Sequence, residues 1–405
     1  MTVRIKPGVA QGRIKAPPSK SMAHRYLICG ALSGGSVISG VDFSKDIEAT
    51  IGCLKALGAK TEIDGDTVKI GGIDFKADIS EKILFCNESG STLRFMIPIC
   101  LLFDKEITLT GSERLFKRSL EVYEQMCKAQ GLYFSQNGNS VTVKGKLSSG
   151  KYSVRGDISS QFISGLMFAL SQLEGDSEIN IVGKIESGSY LGLTIKALAD
   201  FGVRISRLDE HTIFIKGNQS CKKRELSVEG DYSNAAFFEA LNLLGGNIVI
   251  KGLDPDTAQG DRVYSEIFSL ISKGTPTVDI SDCPDLGPVL MAVAAAKNGA
   301  VFTGTRRLKI KESDRGEAMR LELSKMGVEV NVKEDEIVVL KGELSPPTEA
   351  IFSHNDHRIV MSMAVLLTLT GGEILNAQAV SKSFPDFFEK LQQLGIEVEY
   401  LDETD

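Results

Sequence analysis

The stretch PPSKSMAHR, Pro17 to Arg25, places Lys20, Ser21, His24 and Arg25 directly ahead of the apolar run YLICGAL. A helix therefore starts among cations and hydroxyls, with no carboxylate beside it. Helix starts carry unsatisfied N–H groups and partial positive charge, so one left uncovered by a local acid can receive an anion. Four further stretches, ESGSTLR (Glu88 to Arg94), DISSQF (Asp157 to Phe162), SGSYL (Ser187 to Leu191) and GDYSNAA (Gly230 to Ala236), also set small polar residues before apolar helical stripes. Taken singly, each reads as ordinary capping. Only their convergence would make an anion site.

The charged constellations add acid–base chemistry. KIKESDRGEAM holds Lys311, Glu312, Asp314 and Arg315 within five positions at the mouth of a helix. By itself that pattern is also what a solvated helix face looks like. SHNDHRIVM runs from His354, Asn355, Asp356, His357 and Arg358 straight into an apolar stretch, which puts this polar group at the edge of a buried helix. Its two histidines stand three apart, a spacing that suits a metal, but no third ligand is evident and no metal is expected. DCPDLGPVLMAVAAA presents Asp282 and Asp285 around Pro284; an acid there serves as a cap or, near buried cations, as a tuned general base. GSERLFKRS carries Arg114, Lys117 and Arg118 in an expected loop, and SKSFPDFF sets Lys382 beside Ser383 ahead of a helix. Neither GxxxxGK[ST] nor a strand-flanked GxGxxG occurs, so phosphate, if bound, is held without the usual nucleotide fingerprints.

The elements that must position these groups follow a repeat. An apolar helical stripe, a glycine and a short strand recur six times, in CLKALGAKTEI, MCKAQGLYF, ALADFGVRI, LISKGTPTVDI, LSKMGVEVNV and LQQLGIEVEY. The glycines are Gly58, Gly131, Gly202, Gly274, Gly327 and Gly395, each expected to close its helix in the left-handed conformation that penalises a Cβ. The buried stripes expected before them include Ile47, Ile51 and Leu54; Val122, Met126 and Ala129; Leu191, Ile195 and Leu198; and Val263, Ile267 and Leu270. Such units exceed the common solenoid periods, so an α/β fold of six units grouped as three and three is expected. A 405-residue chain with 42% hydrophobic residues also suits two sizeable domains. The longest apolar runs fall short of the roughly 18 residues a membrane helix needs. Seven scattered cysteines without a CxxC pair, and an N-terminus without a secretory apolar core, point to a reducing cytoplasm. A net charge of -7 disfavours general nucleic-acid affinity while leaving room for a local cationic pocket.

In order along the chain, from PPSKSMAHR to SKSFPDFF, these stretches resemble the 5-enolpyruvylshikimate-3-phosphate synthase family. The resemblance implies an inside-out α/β barrel architecture of two domains with three repeats each: residues 1–17 and 229–405 forming one, residues 18–228 the other, with substrates in the cleft between them. It implies a reaction that joins the 5-hydroxyl of shikimate 3-phosphate to C2 of phosphoenolpyruvate, with release of phosphate and no cofactor. Shikimate 3-phosphate contacts are implied for Lys20, Ser21, Arg25, Ser159, Ser160, Gln161, Ser187, Tyr190, Asp285 and Lys311. Phosphoenolpyruvate contacts are implied for Lys20, Gly90, Arg114, Gln161, Arg315, Arg358 and Lys382. Asp285 with Lys20 would remove the hydroxyl proton, Glu312 would supply the proton to C3, and His357 would orient. Glu88 and Arg307 stand where the family usually has asparagine. UDP-N-acetylglucosamine enolpyruvyl transferase is the nearest rival, but the cysteine it typically carries in the loop matching GSERLFKRS is missing; a non-catalytic binding relative and an RNA-binding protein are further alternatives. The expected partners are small molecules, with neither nucleic acid nor membrane, and a monomer is expected.

Overall fold

The computed structural model describes residues 1–79, 81–185 and 187–401. The chain divides into two compact units, Met1–Pro17 with Gly230–Asp405, and Pro18–Glu229. Each is a mixed α/β assembly containing three small sheets.

Five of the six sheets share one plan: a parallel pair followed by two antiparallel neighbours. In the second unit, strand Lys151–Arg155 runs parallel to Ser177–Val182, which pairs antiparallel with Thr212–Ile215, which in turn pairs antiparallel with Ile205–Arg207. The register sets Tyr152 against Ile179 and Ile179 against Ile213. All three side chains are buried, as the period of two requires when one sheet face meets a core. Ile83–Phe85 and Ile107–Thr110 begin a second such sheet, and Glu225–Ser227 with Gly35–Ser39 a third. In the first unit, Thr277–Asp279 and Ala300–Thr303 begin one. Another takes the N-terminal strand Thr2–Ile5 between Gly372–Leu375 and Val398–Leu401.

One of the six repeats, the fourth along the chain, departs from the expectation. Gly58, Gly131, Gly202, Gly327 and Gly395 do take positive φ after their helices, from 66° to 100°. Gly274 instead is extended at φ 172°, and its following strand, Thr277–Asp279, opens the next sheet rather than folding back on its own. That unit keeps only the parallel pair Gln11–Lys15 with Asn247–Lys251. Without a hairpin to turn into, the helix needs no left-handed closing residue. The expected stripe on that helix is also rotated: Leu270 is 50% exposed, and Tyr264, Ile267, Phe268 and Ile271 face the core. Likewise Ala129 is exposed, while Tyr123 and Cys127 join Val122 and Met126 inside.

Each unit is built around three nearly all-buried helices. They are Lys20–Leu32, Gly90–Cys100 and Ser160–Leu170 in one, and Tyr232–Leu243, Gly287–Ala296 and His357–Thr370 in the other. A helix apolar all round belongs in a core, so polar chemistry is left to its first turn. Five of these helices have side-chain caps: Ser19, Ser89, Ser159, Asp231 and Asp356 each accept a backbone N–H two or three residues on. A buried chain of hydrogen bonds from His24 through Thr50 and Thr92 to Ser89 ties the starts of the first two helices together. Among the described residues no helix is long and apolar enough to cross a membrane.

Candidate active-site residues in each unit

In the unit containing residues 230–401, Arg315 is the hub. It opens the helix Arg315–Lys325, capped by Asp314, and is only 1% exposed. Three carboxylates share its guanidinium: Asp285 Oδ1 at 2.8 Å from Nη1, Glu312 Oε2 at 2.7 Å from Nη2 and Asp356 Oδ2 at 2.9 Å from Nε. Its planar fork suits this, because each N–H has a fixed direction. Asp356 caps the helix His357–Thr370 through Arg358 N and also accepts the Ser313 hydroxyl. Asp285 is met by two more cations, Lys311 Nζ at 3.2 Å and Arg358 Nη2 at 3.7 Å. Burial opposes ionisation of Asp285, but Lys311, Arg358 and Arg315 outweigh it and hold its carboxyl well below the usual range. Asp356 is held down by Arg315 in the same way against its burial. Burial pushes the Lys311 ammonium down to about 8, despite the attraction of Asp285.

A left-handed pair, His354 and Asn355 at φ 51° and 55°, turns the chain so that Asp356, His357 and Arg358 enter this cluster in sequence. The turn is anchored from below by buried Glu322, which takes His354 Nε2 at 2.7 Å, Phe352 N at 2.9 Å and Lys325 Nζ at 2.8 Å. His354 is thus an anchor. Among the described residues no group of three His, Cys, Asp or Glu side chains is placed to hold a metal. Lys382 ends a short 3-10 helix and donates to Asn355 O at 2.8 Å, fixing its ammonium at the same turn. His357 is buried beside Asp356, its Nδ1 3.9 Å from Oδ1.

The unit containing residues 18–229 holds its cations differently. Arg25 is buried, with Nε on Thr194 Oγ1 at 2.8 Å, Nη1 on Ser21 O at 2.7 Å and Nη2 on Tyr190 O at 3.1 Å. Its guanidinium lies over the Phe95 ring, and burial lowers its pKa to about 10. Gln161, in the first turn after the Ser159 cap, accepts from Arg94 Nη1 at 2.8 Å and donates to Ser91 Oγ at 2.9 Å. A Cβ on Gly90 would lie 2.8 Å from Arg118 Nη1 and 3.0 Å from Arg94 Nη1. A larger residue there would displace the ends of those two side chains. Lys20 is the exception among these cations, paired with Asp46 at 3.0 Å.

Two expectations change here. Arg114 lies not in a loop but on the short helix Glu113–Phe116, capped by Ser112, and points outward, exposed. Arg118, two residues beyond the end of that helix, lies with Arg94 over Gly90. Ser187 does stand at the start of the helix Gly188–Asp200, but in a left-handed conformation and without a side-chain cap bond, so its hydroxyl is not consumed by capping. Sequence reasoning names Arg118 only as a loop cation and gives neither it nor Arg94 a place in the site. Arg94 was within reach of it, since it stands one turn after Gly90 on the same helix face. Arg307, the departure noted above, is buried near Lys311 and contributes to lowering its pKa. Glu88 is half-buried ahead of the Ser89 cap.

The model for EPSP synthase (3-phosphoshikimate 1-carboxyvinyltransferase) matches residues 5–391. A 3-phosphoshikimate 1-carboxyvinyltransferase of Clostridium kluyveri is 41% identical over 98% of this chain and 98% of its own. One of Clostridium beijerinckii is 40% identical over 97% of each. A solved structure of the EPSP synthase of Acinetobacter baumannii superposes with a TM-score of 0.81 at 23% identity, covering 98% of this chain and all of that one, which shows a shared fold.

Proposed function

We infer how the residues divide the work from one premise: the chain belongs to the EPSP synthase family and has the family's 3-phosphoshikimate 1-carboxyvinyltransferase activity in the shikimate pathway. The 5-hydroxyl of shikimate 3-phosphate adds to C2 of phosphoenolpyruvate as C3 gains a proton; the tetrahedral adduct then loses a C3 proton and phosphate. One acid and one base must act in each half. The observation that carries the assignment is the three-carboxylate cluster on Arg315, because it supplies closely held acids among cations.

Asp285 takes the hydroxyl proton, helped by Lys20. Before substrate arrives its cations make it a weak base; a phosphate or carboxylate drawing on Lys311 and Arg358 relieves that hold and raises its proton affinity. Glu312 delivers the proton to C3 and reclaims one during elimination, since the two halves retrace similar proton paths. His357 orients. Lys311, Arg25, Ser21, Ser159, Ser160, Gln161, Ser187 and Tyr190 receive shikimate 3-phosphate. Phosphoenolpyruvate is received by Gly90, Arg114, Gln161, Arg358, Lys382 and the second N–H of Arg315 Nη1, with Arg94 and Arg118 added over Gly90. Each like-charge pair in two adjacent polyanions costs on the order of several kcal/mol at an intermediate dielectric, which so many cations offset.

The seven cysteines, all buried thiols, suit a reducing cytoplasm, Cys53 and Cys86 lying 4.0 Å apart through sulfur without a bond. The protein acts there as a monomer, which size-exclusion with light scattering checks. The activity test mixes purified protein and phosphoenolpyruvate with either shikimate 3-phosphate or UDP-N-acetylglucosamine and follows inorganic phosphate. Release is expected with the first acceptor alone. Release only with the second would replace this reading by its rival.

A further inference from the structure

Asp261 is a buried acid that the assignments above leave unused. It lies in the 3-10 turn Gly260–Val263 and is 3% exposed. Its Oδ2 accepts a hydrogen bond from the Ser233 hydroxyl, and its Oδ1 is buried with no hydrogen-bond donor among the described residues. A carboxylate kept out of water with one oxygen unsatisfied costs stability, and such groups are found where function requires them.

The segment that leads into the Asp261 turn is tied to the start of the helix Tyr232–Leu243. Thr257 Oγ1 accepts Gln259 N, and the Gln259 side chain bridges Tyr232 N and Gly230 O at the start of the helix Tyr232–Leu243. The charged or titratable groups that act on Asp261 are Asp285 from the turn Pro284–Leu286, Arg358 from the helix His357–Thr370 and Asp231 from the cap of Tyr232–Leu243. Cys283, before Asp285, feels the charge of Asp261 as well. Tyr264 opens the next helix, with Tyr232 and Glu239 acting on it from the helix Tyr232–Leu243.

We propose that Asp261 is a positioning residue for the carboxyvinyl transfer: as a carboxylate held by Ser233 it sets the charge balance of Asp285 and Arg358, and turnover requires it to be ionised. The inference rests on the assignment of Asp285 as base. Lys311, Arg315 and Arg358 together make Asp285 reluctant to accept a proton, and a negative charge next to it restores that affinity. The coupling is reciprocal, so Asp285 disfavours ionisation of Asp261 in turn. Burial first, then Asp285, raise the Asp261 carboxyl to about 7, with Arg358 and Ser233 pulling against them. A raised acid gains its charge as pH climbs through that value, so kcat should rise through an inflection near neutrality.

The test is the pH profile of kcat for wild type, Asp261→Asn and Ser233→Ala, with folding followed by circular dichroism. Asp261→Asn is expected to lower kcat about tenfold at pH 8 and to erase the inflection. Ser233→Ala removes a donor that favours the carboxylate, and is expected to move the inflection to higher pH while leaving the high-pH plateau close to wild type. A wild-type profile in a folded Asp261→Asn protein would overturn the proposal. Should that variant fail to fold, an unmoved inflection in Ser233→Ala would overturn it equally. Asp285→Ala measured alongside separates the two ideas: full turnover there removes the assignment of the base, whereas a dead Asp285→Ala beside a wild-type Asp261→Asn removes only the role of Asp261.

Discussion

Two ways of holding a cation divide this molecule. Around Arg315, positive charge is matched by carboxylates: Asp285, Glu312 and Asp356 share one guanidinium, and Asp285 takes Lys311 as well. Around Arg25 and Arg94, positive charge is matched by neutral groups, namely Thr194, the Ser21 and Tyr190 carbonyls, Gln161 and aromatic rings. Carboxylates can exchange protons, and cations beside them tune when they do so. A cation oriented by neutral dipoles keeps its full charge for an anion. The first arrangement is suited to proton transfer and the second to binding, although Lys20 in the second cluster is paired with Asp46.

The contrast breaks most visibly at Glu312. Glu312→Gln keeps the shape and loses the proton, so kcat is expected to fall by about 10²–10⁴-fold with little change in KM, and solvent deuterium should no longer enter C3 at the normal rate. A pure KM effect would place Glu312 with the binding groups. Asp356→Ala comes next: it strips Arg315 of a buried partner, and breaking such a pair costs about 3–5 kcal/mol, readable as a lower denaturation midpoint in urea.

The Lys311 ammonium gives a pH test of the same contrast. It is protonated below about 8, and an anionic ligand prefers it so; above that value each pH unit is expected to weaken shikimate 3-phosphate binding by up to about tenfold, as calorimetry would read. Lys311→Arg should flatten that dependence. The smallest effect is expected at Gln161, where alanine frees Arg94 without removing it. A roughly fivefold rise in the KM for phosphoenolpyruvate with kcat nearly kept would mark this cluster as a binding one, in line with about 1 kcal/mol for a hydrogen bond.

Much of this was legible before any coordinates. Five of the six helix-closing glycines declare themselves because a hairpin that folds back demands a left-handed residue, and the sixth misleads because Gly274 leads into another sheet. Caps at Ser89, Ser159 and Asp231 are local chemistry and read directly from their neighbours. The Arg315 hub is different. Glu312 pairs with Arg315 three residues on, but Asp285 and Asp356 lie on separate segments, and only packing decides that they meet the same guanidinium. Asp261 gave no signal at all, since an acid in a polar turn looks solvated until the fold buries it. Leu270 shows the reverse error, an apolar residue counted into a stripe whose true face is one position away.

The measurement that bears most directly on the division of labour is single-turnover phosphate release by Asp285→Ala at saturating shikimate 3-phosphate and phosphoenolpyruvate, with shikimate 3-phosphate binding followed by calorimetry on the same sample. Binding is expected to remain measurable while release falls at least a hundredfold. Release at the wild-type rate would contradict the account, because the carboxylates gathered on Arg315 would then be structural alone.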